Sequence, residues 1–418
     1  MSGVFEFLRG CGRQVTTGGK AYKAWVAFLL ATIAIGGWFY ARQWSDGLIA
    51  TNMRDEVSWA FYIGNFTFLV GVAAAAVLLV IPAYVYQWKP LKEVVVLGEL
   101  LAISALVMCL LFILVDMGRP DRFLHILPLL GKPNWPRSLL TWDALVLNGY
   151  LAVNLVLVSY LLFKTYRGEA YDKRIFLPLV LLSIPVAIST HTVTAFLYNG
   201  MAARPYWNAS ILAPRFIASA FCSGPAVMII LFQVLKRTNG LPIKDEAIWK
   251  VAELMSYAMF LNLFLLGAEL FKEFYSSTEH VLYTQYLWVG IGEHRALVPY
   301  AWLSLAFSFA AFVLFLMPRT RRNYVTLNLG CLLIWAGVYI EKGMGLIIPG
   351  MTPDTLGQIY EYQPSATEWG TAAAVFGTGF LVFTLLVKIA VPILVGSFRA
   401  PARAVEEAPP VSATVAGH

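Results

Sequence analysis

Long apolar segments alternate with short polar ones along this chain, and the alternation predicts its fold. A transmembrane helix needs roughly 20 predominantly apolar residues. Ten segments meet that length, and their predicted bounds are 22–41, 57–87, 93–115, 139–164, 175–199, 211–235, 247–273, 297–317, 325–348 and 369–397. Continuous apolar segments favour helices over the alternating ten-residue strands of a barrel. We therefore predict an all-α integral membrane protein with about ten transmembrane helices.

The composition supports a membrane protein and argues against a soluble one. Of the 418 residues 59% are hydrophobic and 13% are charged, whereas a soluble domain carries roughly 25% charged residues. The net charge of +7 comes from short basic clusters between the apolar segments, which is typical of membrane topology. A basic stripe for nucleic acid is not indicated, so we expect membrane lipids and other proteins as partners, and no nucleic acid.

The distribution of Lys and Arg predicts the orientation. Ten spans place both termini on one side, here named face A, and the opposite side is face B. Most of the 31 Lys and Arg residues fall on face A, which the positive-inside rule assigns to the cytoplasm. Face B carries the longer connections 116–138, 274–296 and 349–368, rich in Pro, Gly, Trp and Tyr. Because long structured loops commonly carry function, we predict that the working face is extracytoplasmic.

These bounds divide the chain into three parts. Residues 1–20 form a polar cytoplasmic segment, residues 21–398 form one polytopic membrane domain, and residues 399–418 form a cytoplasmic tail. The tail is rich in Ala, Pro and Val, which predicts a flexible segment.

The cysteine and histidine positions argue against a redox centre in this chain. The four cysteines, which show no CxxC or CxxCH spacing, are Cys11, Cys109, Cys222 and Cys331. An iron–sulfur cluster or c-type haem is therefore not expected. Of the five histidines only His191 lies well inside a predicted span, whereas a bis-histidine haem needs two facing ones. No carboxylate-and-histidine spacing indicates a metal site.

Several ionisable residues lie within the predicted spans, where a charge costs about 2.5–3.5 kcal/mol. Those near face B are Asp116, Arg119, Asp143, His191, Arg215, Glu269, Glu341 and Lys342. Those nearer face A are Glu99 and Glu253. One interpretation is that they are interfacial charges, which snorkel or pair to fix helix packing. The other is that they form a functional polar site.

A polar pocket near face B suits a quinone, whose carbonyl groups need hydrogen-bond partners and whose tail needs an apolar slot. Histidine and carboxylates also suit proton exchange. The residues predicted to be catalytic are His191, Asp116, Asp143 and Glu269. Those predicted to contact the quinone are His191, Asp116, Arg119, Trp207, Arg215 and Lys342. Those predicted to carry protons from the cytoplasm are Glu99, Glu253 and Glu341.

Five sequence stretches carry a family resemblance. They are DMGRPDRFLHILP at 116–128, WDALVLNGY at 142–150, HTVTAFLYNG at 191–200, APRFIASAFCSGP at 213–225 and YIEKGMGLIIPGMTP at 339–353. Together they resemble the NrfD/polysulfide-reductase membrane-subunit family, over residues 20–397. The similarity is greatest to the ten-helix branch of the family. This branch includes membrane subunits of four complexes: the menaquinone reductase (Qrc) complex, the Dsr complex linked to sulfite reduction, the Hmc complex and alternative complex III.

This resemblance implies a quinone-interacting subunit of a respiratory complex in the cell inner membrane. Family members dock an extracytoplasmic ferredoxin-like iron–sulfur subunit, often with a multihaem cytochrome c and in some cases a molybdopterin-type subunit. The resemblance favours Asp116 and His191 as site residues and menaquinone as the bound substrate. The resemblance favours menaquinone reduction as the reaction. The alternative is menaquinol oxidation, as in the Dsr-type relative.

Two interpretations from other classes remain open from the residues alone. A secondary transporter or ion channel also has many helices with buried carboxylates, and broken helices in matching repeats would support it. Pro185 and Pro225 lie within spans, but no clear internal repeat is visible. A structural anchor for partner subunits is the third interpretation, and it predicts that the buried charges can be neutralised without loss of turnover.

Overall fold

The computed structural model describes residues 2–92, 94–278 and 280–400, with the side chains of Ser2 and Asn239 excepted. In this described part the chain is almost entirely helical, and ten helical segments are long and apolar enough to cross a membrane. The all-α prediction with ten spans is therefore confirmed. The orientation of the termini stays a prediction.

The principal helices follow the predicted spans to within a few residues. They are α1 (Ser2–Thr16), α2 (Lys20–Asp46), α3 (Phe61–Ala74), α4 (Val95–Asp116), α5 (Leu139–Tyr166), α6 (Lys173–Asn199), α7 (Leu212–Asn239), α8 (Asp245–Ser276), α9 (Val281–Trp288), α10 (Val298–Leu316), α11 (Tyr324–Lys342), α12 (Met344–Met351) and α13 (Ala366–Val395). Here α1, α9 and α12 are too short to span by themselves, and α12 extends the span that α11 begins.

The spanning helices form two packed groups. In the first group α3, α4, α5 and α6 pack on one another, and in the second α7, α8, α10 and α11 do so. The groups meet where α7 packs against α3 and α6, while α13 packs against both α2 and α4. Helices of the two groups therefore face each other across a central interface, and that interface positions the site described below.

Small residues allow the closest helix contacts, as is common within membranes. At the central interface a Cβ on Gly224 of α7 would collide with the Cβ of Ala75 and lie 3.4 Å from its Cα. Glycine at this position is therefore what lets the two helix groups approach each other.

The second span departs from the prediction of one continuous helix over 57–87. The helix begins at Phe61 and is interrupted after Ala74, and the chain continues as Val77–Val80 and a π-helical turn, Ile81–Val85. Pro82 lies in that turn. Proline donates no N–H and clashes with the carbonyl four residues earlier, which favours a local departure from the regular α-helix at this turn.

The ninth span is also interrupted, at Gly343 between α11 and α12. The interrupted spans are the second and the ninth, which do not occupy matching positions in two halves of five spans. Within the described residues the helix breaks therefore lack the paired arrangement that inverted-repeat transporters show.

The N-terminal segment, predicted as polar, contains the helix α1. Phe7 of α1 packs against Phe163 and Tyr166 at the face A end of α5, with ring centroids 5.4 and 5.1 Å apart. The helix therefore lies against the face A end of the bundle. Most of the predicted tail, from residue 401 onward, lies outside the described residues.

Candidate functional site

A cavity of about 460 Å³ opens near face B, beside the interface of the two helix groups. Its walls come from α8, α10 and α11, from α9, and from the segment that leads into α13. The aromatic and apolar residues that line it include Phe61, Leu266, Leu270, Leu287, Trp288, Tyr300, Ala301, Ile340 and Trp369. Tyr300 and Trp369 are more than half exposed, which places them where the cavity reaches the surface.

Four charged side chains form a buried network against this cavity, here named the charge cluster: Arg215, Glu269, Glu341 and Lys342. Arg215 donates from Nη2 to Glu341 Oε1 at 2.6 Å and forms an ion pair with Glu269. Lys342 Nζ lies 3.0 Å from the same Glu341 oxygen. Two positive and two negative groups cancel, which offsets much of the cost of placing charges away from water.

The sequence positions these four groups at helix ends and on one helix face. Glu341 and Lys342 end α11, directly before the break at Gly343. Leu266 and Glu269 of α8 share the cavity-facing side of their helix, at a spacing typical of one helical face. Asn262, two turns earlier on α8, donates to Glu341 Oε2 at 3.5 Å.

Three tyrosine hydroxyls add neutral polar groups to the cavity wall. Tyr206 donates to Gly345 O at 3.3 Å, Tyr339 donates to the Asn65 side chain at 2.8 Å, and Tyr362 donates to the carboxylate of Glu368. Burial raises the pKa of Tyr206 to about 12. Burial and the nearby Glu368 carboxylate also raise the pKa of Tyr362. Both hydroxyls therefore stay protonated at physiological pH.

His191 lies on the other side of the charge cluster, at a second and much smaller cavity of about 10 Å³. Lys342, Phe216, Thr67, Ser219 and Ser223 also line this small cavity. His191 is 2% exposed, and neither ring nitrogen has a hydrogen-bond partner among the described protein groups. Lys342 therefore belongs to both features, because it pairs with Glu341 in the charge cluster and also lines the small cavity.

Three other predicted site residues lie in the first helix group or in the connection after it, and none lines either cavity. Asp143 accepts a hydrogen bond from Thr194 Oγ1 at 2.6 Å, and its second oxygen has no hydrogen-bond partner among residues 2–92, 94–278 and 280–400. Asp116 ends α4 and has one buried oxygen without a partner. Trp207 is fully buried and donates to Leu346 O at 2.9 Å, so its contacts are those of a packing residue.

The remaining predicted residues lie apart from the charge cluster. The side chain of Arg119 is 66% exposed and pairs with Asp121 at 3.0 Å on face B. Glu253 is partly exposed and pairs with Lys250 at 3.3 Å. Glu99 is buried in α4, and no described group bonds to its carboxylate. The structure thus joins four of the predicted residues in one cluster, with His191 across the small cavity, and the roles of all of them stay predictions.

Sequence reasoning missed three kinds of residue at the site. They are the cavity tyrosines, the two serines that line the small cavity with His191, and Asn262, which bonds to Glu341. Asn262 could have been found, because it is a polar residue seven positions before Glu269 in an otherwise apolar stretch. The tyrosines carried no such signal, since aromatic residues are common at both membrane interfaces. Serine is also unremarkable in membrane helices, where it often bonds to its own helix backbone.

No group of three or more His, Cys, Asp or Glu side chains within the described ranges is arranged to hold a metal ion. The four cysteines are buried free thiols in four different helices. The expectation that this chain carries no haem or iron–sulfur cluster stays a prediction.

Comparison with known proteins gives one family and several relatives. Residues 50–354 match the family model described as polysulphide reductase, NrfD. The membrane subunit of a putative dimethyl sulfoxide reductase of Halobacterium salinarum is 27% identical, over 85% of this chain and 88% of the relative. A selenate reductase subunit of Mesobacillus selenatarsenatis is 22% identical, over 82% and 88%. The Hdr-like menaquinol oxidoreductase integral membrane subunit of Archaeoglobus fulgidus is 23% identical, over 92% and 95%.

Proposed function

Because the chain belongs to the polysulphide reductase NrfD family, we propose that it is the quinone-reactive membrane subunit of a respiratory oxidoreductase complex. The quinone ring binds in the cavity near face B, against the charge cluster, and the apolar tail extends toward the lipid. The observation that carries this proposal is an aromatic cavity with a buried, charge-balanced network on its wall.

The dimensions and chemistry of the cavity support a quinone ligand. Its volume of about 460 Å³ lies within the range of small-molecule sites, which are mostly apolar with a few placed polar groups. Arg215 lines the cavity, and its Nε is buried without a partner in the described chain. In the proposed complex this N–H donates to a quinone carbonyl, while the rest of the guanidinium holds the two glutamates in place.

The proposed electron partner is an extracytoplasmic ferredoxin-like iron–sulfur subunit docked on face B. The cavity supports this placement, since α9 and the segment before α13, both face B elements, form part of its wall. A multihaem cytochrome c or a molybdopterin-type subunit would complete the complex. The relatives' names, which include a dimethyl sulfoxide reductase and a selenate reductase, favour the molybdopterin-type arrangement. The proposed location is the cell inner membrane, with face B toward the periplasm.

The direction of electron flow has two candidates. The resemblance of the sequence motifs to the menaquinone reductase complex favours menaquinone reduction. The names of the relatives favour menaquinol oxidation, in which electrons leave the membrane for an external acceptor. One relative is named as a menaquinol oxidoreductase subunit, and two are named as subunits of reductases. The same cavity serves both directions, because quinone and quinol differ by two electrons and two protons at the same oxygens.

A cavity-filling substitution tests the proposed quinone site. Ala301 of α10 lines the cavity and is not one of the charged residues of the cluster. The substitution Ala301→Phe therefore fills cavity space while all four charged residues are kept. We expect the apparent KM for a short-chain menaquinone analogue to rise about tenfold in the purified complex. Steady-state turnover with the complex's own electron donor or acceptor measures it.

Ala310→Phe is the matched control, because Ala310 lies on the same helix and is exposed on its outer side. Its KM is expected to stay within about twofold of the unmodified protein. If Ala301→Phe leaves the KM unchanged in a fully assembled complex, the quinone does not bind in this cavity.

A further inference from the structure

The small cavity lies between two buried groups whose nitrogens have few partners. His191 and Lys342 are both at least 97% buried, and both line it. Neither nitrogen of His191 bonds to a described protein group, and Lys342 Nζ forms an ion pair with Glu341 but has no other polar partner in the described part of the chain. Burying a polar nitrogen with too few hydrogen-bond partners is costly, and a polar molecule bound in the space that both residues line would supply the missing partner.

The volume and the lining of this cavity fit one water molecule. Its volume of about 10 Å³ is close to the minimum that one water occupies, and a buried water needs two to four polar partners. The hydroxyls of Ser219 and Ser223 already donate to backbone carbonyls, to Phe216 O at 2.9 Å and to Ser219 O at 3.2 Å. Their oxygens are therefore left as acceptors, while Lys342 can only donate.

We propose that an ordered water in the small cavity connects Lys342 to His191, and that this connection carries protons between the charge cluster and the membrane interior. The water accepts from Lys342, donates to a serine oxygen, and exchanges a hydrogen bond with a ring nitrogen of His191. His191 thus acts on protons and does not touch the quinone ring.

This inference rests on the proposed quinone site, because it assigns the protons of that reaction a path. Reduction of the quinone to the quinol takes two electrons from the proposed iron–sulfur subunit and two protons, which form an O–H bond at each carbonyl oxygen. One of these protons passes to the quinone oxygen from Glu341, which lines the large cavity. Glu341 regains a proton from its ion-pair partner Lys342, and Lys342 then regains one from His191 through the water. In quinol oxidation the same proton leaves by the reverse path.

The geometry explains why the cluster and the histidine need a separate link. The charge cluster lines the large cavity through Arg215, Glu269 and Glu341, whereas His191 lines only the small one. Lys342 and Phe216 both line the small cavity, and the centroid of the Phe216 ring lies 5.6 Å from Lys342 Nζ. A proton therefore needs a carrier between the ammonium group and the imidazole.

Ser223→Val tests the inference, because valine removes an acceptor from the small cavity and takes up part of its space, while all four charged residues of the cluster are kept. In the purified complex we expect binding of a short-chain menaquinone analogue to stay within about twofold. Turnover is expected to fall by about a hundredfold, as for loss of a positioned proton-transfer group. The ratio of turnover in H₂O to that in D₂O is expected to rise, since proton transfer becomes rate-limiting.

Ser183→Val is the matched control, since Ser183 is a buried serine of α6 that bonds to Val180 O and lines neither cavity. Equal turnover and equal isotope effects for the two variants in assembled complexes would overturn the proposed water link. Failure of the unmodified complex to bind the analogue would instead overturn the proposed quinone site.

A map of the unmodified complex at a resolution that resolves ordered waters provides a second test, which does not depend on folding of a variant or on turnover. We expect a peak within hydrogen-bond distance of both His191 and Lys342. The inference would be contradicted by a map that shows other buried waters but no peak at this position.

Discussion

Arg215 is the residue on which the charge cluster depends, because it contacts both of the cluster's glutamates. A buried carboxylate that loses its cation is left uncompensated, which costs several kcal/mol. Sequence reasoning could identify Arg215, Glu269, Glu341 and Lys342 as unusual, since each is an ionisable residue in an apolar span. It could not pair them, because they come from three different helices and their contacts depend on how those helices pack.

The two glutamates nearer face A differ in a way that the sequence did not reveal. Glu99 is 2% exposed, and no described group bonds to its carboxylate, whereas Glu253 is partly exposed and paired with Lys250. A buried ionisable group without a structural partner is a candidate for proton transfer within a membrane. An exposed ion pair of neighbouring helical residues contributes little and needs no further role.

We therefore predict that Glu99→Gln lowers proton exchange with face A, while Glu253→Gln does not. The complex, reconstituted into liposomes with a pH-sensitive dye inside, reports proton movement during quinone turnover. Glu99→Gln is expected to slow it by about a hundredfold, and Glu253→Gln to leave it within about twofold. The reverse result, or equal loss in both, would contradict a cytoplasmic route through Glu99.

At the scale of the helices, the central interface between α3 and α7 determines where the cavities form. The prediction of ten spans needed only apolar length, and therefore their number and approximate bounds followed from the sequence. The interruptions in the second and ninth spans did not follow, because Pro82 and Gly343 are compatible with continuous membrane helices when neighbouring groups satisfy the backbone. The break at Gly343 matters for the site, since it ends α11 directly after Glu341 and Lys342.

Gly224→Val is predicted to destabilise the protein by about 1–3 kcal/mol, because a side chain there would collide with Ala75 of the facing helix group. Gly267→Val is the control, since a Cβ at Gly267 has no neighbour within 4 Å. Thermal unfolding of the purified protein in detergent measures the difference. Equal melting temperatures for the two variants would show that the close approach of α7 to the second span does not limit stability.

At the scale of the whole molecule, the proposed function depends on which face lies outside the cytoplasm. The cavity opens near face B and is partly walled by face B loops, so an extracytoplasmic electron partner requires that face to be outside. The excess of Lys and Arg on face A supports this orientation. The four native cysteines are buried, which leaves a simple chemical test available.

Two exposed residues provide reporter positions on opposite faces. Leu129 is 97% exposed in the face B loop 116–138, and Lys173 is exposed at the face A start of α6. We predict that Leu129→Cys reacts with a membrane-impermeant thiol reagent in intact cells or spheroplasts. Lys173→Cys is expected to react only after the membrane is opened. Reaction of Lys173→Cys alone in intact cells would invert the topology and exclude an extracytoplasmic partner at the cavity.

The most direct test of the proposed site is photo-crosslinking of a quinone to the purified complex. A photoreactive short-chain menaquinone analogue is illuminated with the complex, and the labelled peptides are identified by mass spectrometry. The account predicts labels on the cavity walls, in the segments around Leu266–Leu270 of α8 and Ala296–Ala301 before and within α10, and their loss on addition of excess unlabelled analogue. Competable labels confined to the surroundings of Asp116 and Asp143, with none on these walls, would contradict it.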